Sequence, residues 1–515
     1  MTSDRPNILY PLLALLGVGL WFIVLQARGI VWAGGVFEYP LDDVYIHLAI
    51  AEQITLGGYG VNTSEVTSPG SSPLYPLLLT PFSGTEAQRW LPLYWNCVGL
   101  VVVALLWGRL IAYAGYRGTM GVALALLGPV ALNTAGVAMT GMEHTLHAAA
   151  SLCIVYGLFV LADQKRVSGL LLLGILLAPA LRPEGLALAL VGAGVLMLSG
   201  RIAFGALATV MAVLPVALFV WFLVSLGLDP LPNSVQAKLV GAEDAELGRL
   251  ARAIGTFRLN LLELPGLLML GFIVVLSALA AAAQGGRRWV ALGLAAAGLA
   301  HLFFGQIGWM ERYENYILTS LAAGAVVMAH GASSAMTASL PAVLIALAGG
   351  IYMPHAWEEY RFNPRAIHLQ QAQTSRFVKD YLKTDVAVND LGWVAWRNPN
   401  YVLDLWGLAS DEARTIRIFE PSLGWAGPLV AKRGVPVALI YDTDDWLGYA
   451  VGRDWVRVGE FRLDLQRGFL GASFVGVYAT SPEHVELVEN ALLAFEPELP
   501  DGTGVIFMDG FGGER

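Results

Sequence analysis

Eleven apolar runs constrain this 515-residue chain more than anything else in it. They fall at 8–27, 91–113, 119–138, 143–162, 168–181, 184–199, 203–226, 266–284, 288–305, 316–331 and 336–353. A bilayer core needs about 20 consecutive apolar residues in a helix, and most of these runs meet that length. The chain therefore reads as a polytopic α-helical membrane protein with about 11 transmembrane helices. Composition agrees, with 56% hydrophobic and only 14% charged residues. The runs 168–181 and 184–199 are short and broken by Leu181-Arg182-Pro183-Glu184-Gly185, which predicts a kinked or partly re-entrant hairpin. The first run is longer than a signal core and lacks a clear small-residue cleavage site, so it reads as an uncleaved anchor.

The positive-inside rule orients the chain. Arg5, Arg109 with Arg117, Lys165 with Arg166, Arg201, and Arg287 with Arg288 all fall on one side of the eleven-run count. That side is expected to be cytoplasmic, with the N-terminus. The first loop, the 229–264 loop, the 305–315 loop and the C-terminal part then face outward, as in a multi-pass protein of a bacterial inner membrane.

Residues 1–354 are expected to form the transmembrane domain and 355–515 an extracytoplasmic α/β domain. From 355 onward there are 15 Lys+Arg and 23 Asp+Glu, against a total net charge of −9, so nearly all the acidity lies in this tail. That balance argues against a nucleic-acid partner. Helical and strand-like patterns alternate there: a helix over 365–383, strands near 385–389, 401–405, 435–441, 455–463 and 473–478, and a helix over 482–495. Cys97 and Cys153 both sit in apolar runs, so no disulfide framework is expected.

The stretch 38–82 carries the most chemistry. Asp42 and Asp43 precede a helical pattern from Val44 to Leu56. One Asp suffices as an N-cap; the second carboxylate has no equally simple role. Asp43 and His47 are four residues apart and share a helix face. Polar and ionisable residues recur on the outward side: Glu143, His144 and His147; Arg182 and Glu184; Asn233 and Lys238; Arg312, Tyr313 and Glu314. Such groups at membrane depth are costly and are commonly functional or paired. His144 and His147 make at most half a metal site. Asp442-Thr443-Asp444 resembles a metal-binding pair of soluble sugar-nucleotide transferases, but it fits a surface turn better.

These motifs resemble the GT-C class of multi-spanning glycosyltransferases, in particular bacterial cell-wall arabinofuranosyl- and mannosyltransferases. The resemblance rests on Asp42-Asp43-Val44-Tyr45-Ile46, Ser71-Ser72-Pro73-Leu74-Tyr75-Pro76, Gly141-Met142-Glu143, Arg182-Pro183-Glu184-Gly185 and Pro232-Asn233-Ser234 with Lys238. Asn389-Asp390-Leu391-Gly392 and Asp404-Leu405-Trp406-Gly407-Leu408 extend it into the tail. One feature departs: relatives often carry an Arg in the helix after the acidic pair, and here His47 is the only basic residue nearby.

The resemblance implies an inverting transferase. It would move a sugar from a polyprenyl-phosphate donor to the hydroxyl of an extracytoplasmic glycan or lipid acceptor. Asp42 would be the general base, and Asp43 an orienting partner or the ligand of a divalent cation. His47, Arg182, Lys238 and Arg312 would hold the donor phosphate. Tyr45, Ser71, Ser72, Glu143, His144, Glu184, Asn233 and Tyr313 would line the cavity. A transporter or flippase of lipid-linked sugars should show repeat-related halves, which the sequence lacks. A ligase moving a whole lipid-linked glycan would use the same cavity.

Overall fold

The computed structural model describes residues 8–239, 248–330 and 335–508. Each of the eleven apolar runs contains a helix. Six helices are long and apolar enough to cross a membrane: Leu9–Trp32, Glu86–Ala114, His144–Gln164, Ile202–Ser225, Leu264–Ala282 and Met336–Leu382. Gly118–Ala131, Gly169–Leu181, Gly185–Leu198 and Asn315–Ala329 are shorter apolar helices.

Local chemistry sets several ends. Ser168 caps Gly169–Leu181 by accepting from the Leu171 amide at 3.2 Å. Gly115, at φ 88°, supplies the left-handed turn that stops Leu91–Ala114. The expected run 119–138 is two helices, Gly118–Ala131 and Thr134–Met139, separated by Asn133 at φ 54°. His144–Gln164 is the centre of the bundle and is buried almost throughout. Leu9–Trp32 and Ile202–Ser225 lie outside and leave Leu12, Leu16, Leu20, Leu207, Val210, Leu214, Leu218 and Trp221 exposed.

At one end of the bundle the basic residues of separate loops converge. Arg201 donates to the Lys165 carbonyl at 2.8 Å, and Arg287 pairs with Asp163 at 2.8 Å. Asp43, Arg182 and Arg312 meet at one cavity elsewhere.

The C-terminal part is built on a six-stranded sheet: β1 (Val386–Val388), β2 (Val402–Asp404), β3 (Val437–Ile440), β4 (Val456–Leu463), β5 (Phe474–Ala479) and β6 (Thr503–Phe507). The order is β2-β1-β3-β5-β4-β6. β2, β1 and β3 are parallel, with Val386 opposite both Val402 and Val437. β5, β4 and β6 continue antiparallel. The three parallel strands are buried at every position, as expected of a sheet covered on both faces. Asp411–Phe419, capped by Ser410, and Ala426–Arg433 make the crossover from β2 to β3.

The expected boundary at 354/355 falls inside one continuous helix, Ala335–Leu369. The two parts also share a core. Val44, Tyr45 and Leu48 of helix Asp43–Thr55 pack in one cluster with Val388, Val394 and Trp396 of the sheet domain. The apolar face of that first-loop helix is thus covered by a partner about 350 residues downstream.

Candidate functional site

A cavity of about 950 Å³ opens between the bundle and the sheet domain. The sheet contributes the loops at the carboxyl ends of its three parallel strands: Asn389, Asp390 and Leu391 after β1, Trp406 and Leu408 after β2, and Trp446 after β3. Crevices at the carboxyl ends of parallel strands are where ligands commonly bind in open α/β sheets. The bundle contributes Asp42, Asp43, His47, Ser71, Arg182, Ser234, Arg312 and Tyr313, with an apolar flank from Leu259, Phe303 and Phe304.

Asp42 lies at the N-cap of helix Asp43–Thr55 but does not cap it with its side chain. Its carboxylate reaches across the domain interface instead. Oδ2 accepts from the Gly392 amide at 2.7 Å and Oδ1 from the Trp393 amide at 2.8 Å. A Cβ on residue 392 would sit 2.2 Å from the Asp42 carbonyl oxygen, so only glycine fits. Asp390 stands close by, its Oδ2 accepting from Gln371 and from the Tyr441 hydroxyl, both at 2.8 Å. Burial, and then the negative charge of Asp390, raise the Asp42 carboxyl well above the usual range despite its two amide donors. Burial likewise raises Asp390.

Asp43 accepts from Arg312 Nη2 at 2.5 Å. Arg312 is only 2% exposed and also donates to the Tyr313 hydroxyl at 3.1 Å. Its Nε and Nη1 are buried and have no hydrogen-bond partner among the described residues. A guanidinium has five N–H donors, and this one faces a cavity with donors to spare.

Arg182 differs. Nη1 is 2.7 Å from Glu143 Oε1, while Nε and Nη2 grip Glu184 at 3.2 and 2.8 Å. Its charge is thus met by two carboxylates, and its link to Ser71 is a weak 3.4 Å contact. His47 lies 3.8 Å from Glu143, and burial lowers its basicity. Among the described residues expected to hold a phosphate, Arg312 has two buried nitrogens without a partner, and His47 Nδ1 is also buried without one. Arg182 is largely committed within the protein. The side chain of Lys238 lies outside the described residues.

Several residues expected to line the cavity stand behind its wall. Tyr45 stacks on Trp393 at 4.1 Å and donates its hydroxyl to Glu38. Ser72 accepts from the Tyr75 amide at 3.1 Å, holding the turn. Glu143 and Glu184 clamp Arg182 from behind. His144 meets Tyr313 edge-on at 5.7 Å, and Asn233 is tied to Ser68. Ser71 and Tyr313 do line the cavity. Asp43, expected as a metal ligand, has an oxygen committed to Arg312. His147 stacks on Tyr316 at 4.1 Å rather than joining His144 in a ligand pair. The segment after Tyr441 is a turn closed by Trp446 N–H on the Thr443 carbonyl at 3.0 Å, with Asp444 and Asp445 exposed, while the Asp442 side chain turns inward to Tyr478 and Arg457.

Asp390, Trp406, Trp446 and Arg252 are among the lining residues that the sequence reading left out of the site. The available signal was the position of Asn389-Asp390 at the carboxyl end of a fully buried strand. Asp404, in the neighbouring motif, is a clasp: its oxygens accept from the Trp406 and Ala409 amides at 2.8 Å each and shape the loop that presents Trp406.

Together the fold and site define a helical-bundle protein whose sheet domain closes a cavity lined by aspartates and a buried arginine. A family described as a domain of unknown function (DUF8728) matches residues 359–485, about a quarter of the chain. No curated protein and no solved structure matches.

Proposed function

We propose that this chain is a membrane-embedded, inverting glycosyltransferase. It takes a sugar from a polyprenyl-phosphate donor and gives it to a hydroxyl of an extracytoplasmic glycan or lipid. The observation that carries the reading is Arg312, a buried guanidinium with free donors facing a cavity that also holds Asp42 and Asp43. Buried cations with unmet donors call for an anion. The exposed leucines of Leu9–Trp32 and Ile202–Ser225 support a lipid setting, because so large an apolar surface is unusual in water. All eleven apolar helices are read as membrane segments, with the basic end near Lys165, Arg201 and Arg287 on the cytoplasmic side.

In this reading the donor's phosphate lies against Arg312, and its prenyl tail leaves along Leu259, Phe303 and Phe304. The acceptor oxygen attacks the anomeric carbon as the bond from that carbon to the phosphate oxygen breaks. The leaving phosphate carries off the electron pair, and Arg312 stabilises its charge. The acceptor's proton passes to Asp42. Asp390 favours that transfer by raising the proton affinity of Asp42. Asp43 pairs with Arg312 and fixes its orientation. Trp406 and Trp446 offer flat faces to a sugar ring. The test is release of polyprenyl phosphate by the purified chain from a panel of prenyl-phosphate sugars; no release from any donor would refute the reading.

A further inference from the structure

The 305–314 segment that delivers Arg312 is held in an unusual way. Trp309, Met310 and Glu311 are three consecutive non-glycine residues with φ of 52°, 63° and 52°. That region is unfavourable for side-chain-bearing residues, so something must hold the segment in place. Three contacts tie it to helix Ala335–Leu369: Glu311 with His355 at 3.4 Å, Glu314 with the Tyr352 hydroxyl at 3.3 Å and Met310 Sδ with Asn363 Nδ2 at 3.7 Å.

On that helix His355 and Glu359 are four residues apart and share a face. A nitrogen of His355 and one carboxylate oxygen each from Glu311 and Glu359 lie within 4.8 Å of one another. Glu311 Oε2 accepts from Asn133 Nδ2 at 3.1 Å, which orients the carboxylate and leaves Oε1 facing His355 at 3.4 Å. The His355 side chain is 61% exposed, so the cluster opens to solvent on one side. Its other side is closed: the Glu311 side chain is 9% exposed, and Glu359 Oε2 is buried with no hydrogen-bond partner among the described residues.

The charge does not balance. Glu311, Glu314 and Glu359 lie together with most of their surface buried, and no Lys or Arg pairs with any of them among the described residues. Buried carboxylates are paired or coordinate metals.

We infer that Glu311, His355 and Glu359 form a binding site for a divalent transition-metal ion of the zinc class, which pins the 309–312 segment to helix Ala335–Leu369. One imidazole with two carboxylates suits zinc; calcium and magnesium prefer all-oxygen sets. Ligand atoms on a common tetrahedral zinc ion lie about 3.4 Å apart, so the three side chains close on it by turning inward. Asn133 is the outer partner that fixes Glu311. The site does not touch the cavity. It acts through the chain, since the residue after Glu311 is the arginine that pairs with Asp43.

The experiment uses the full-length protein in nanodiscs, stripped with a chelator and dialysed against zinc chloride or calcium chloride. Bound metal is read by mass spectrometry after desalting, and stability by thermal melting. The expected result is one zinc per chain and a raised melting temperature in the wild type. Zinc affinity should fall at least about tenfold in Glu359→Gln and in His355→Ala. Zinc content far below one per chain, equal affinity in wild type and Glu359→Gln, or stoichiometric calcium in place of zinc would each overturn it. The readout needs no turnover. Stoichiometric zinc in a protein that releases no polyprenyl phosphate would leave the site standing and remove the transferase reading.

Discussion

At the residue scale the two adjacent aspartates have different work. Asp43 is neutralised by Arg312, whereas Asp42 takes two backbone amides and stands next to another carboxylate. A carboxyl raised by burial and a like charge is the better proton acceptor of the two, and only its ionised form can act. Transfer should therefore rise with pH through the raised Asp42 titration. Asp390→Asn removes the like charge, so the rising limb of the pH–rate profile should move to lower pH. A limb left in place would separate Asp390 from the reaction. Arg312→Gln should weaken donor binding and slow turnover by about 10²-fold or more, as when one oxyanion donor is removed. Titration of donor against acceptor concentration checks it; a change confined to the acceptor would contradict it.

At the element scale, the sheet domain's contribution depends on short loops whose chemistry is visible. Burial raises the Asp404 carboxyl to about 6, in spite of the amides it accepts from. A carboxyl raised on folding contributes most stability below its unfolded value near 4 and loses it as pH rises through the folded value. The contribution of Asp404 to stability should thus fall by up to about 3 kcal/mol between about pH 4 and pH 7, and Asp404→Asn should remove that part of the pH dependence of melting. Gly392→Ala should drive a methyl into Asp42 and separate the first-loop helix from the sheet; a melting temperature equal to wild type would count against the tight contact. Much of this level was legible. β1 through β4 lie in the segments read as strands and β5 runs one residue past its own, because short apolar stretches bounded by turn residues announce strands. β6, Thr503–Phe507, was missed. The break at Asn133 was also missed: the run was read straight through the polar pair Asn133-Thr134, although Asn takes the left-handed conformation more readily than most residues.

At the scale of the whole molecule, the apolar runs were readable because a bundle helix needs only length and apolarity to declare itself. Pairings were not. Asp42 meets its amides 350 residues away, and Arg182 is matched by Glu143 and Glu184; residue type alone says cation, not whether the cation is already spent. The sequence therefore grouped four cations as equals, while the fold spends Arg182 on two carboxylates and leaves Arg312 with two buried nitrogens unmet among the described residues. A membrane setting predicts that cysteines introduced at Ser199 and at Asp501 label from opposite sides of sealed vesicles. Labelling of both from one side would break the expected topology.

The central claim is that Asp42 accepts the proton of an attacking hydroxyl while Arg312 receives the leaving phosphate. The most direct measurement is polyprenyl-phosphate release by purified wild-type and Asp42→Asn protein, with melting temperatures taken on the same samples. The account predicts release by the wild type and at least about 10²-fold slower release by a fully folded Asp42→Asn protein. Equal rates from the two folded proteins would contradict it.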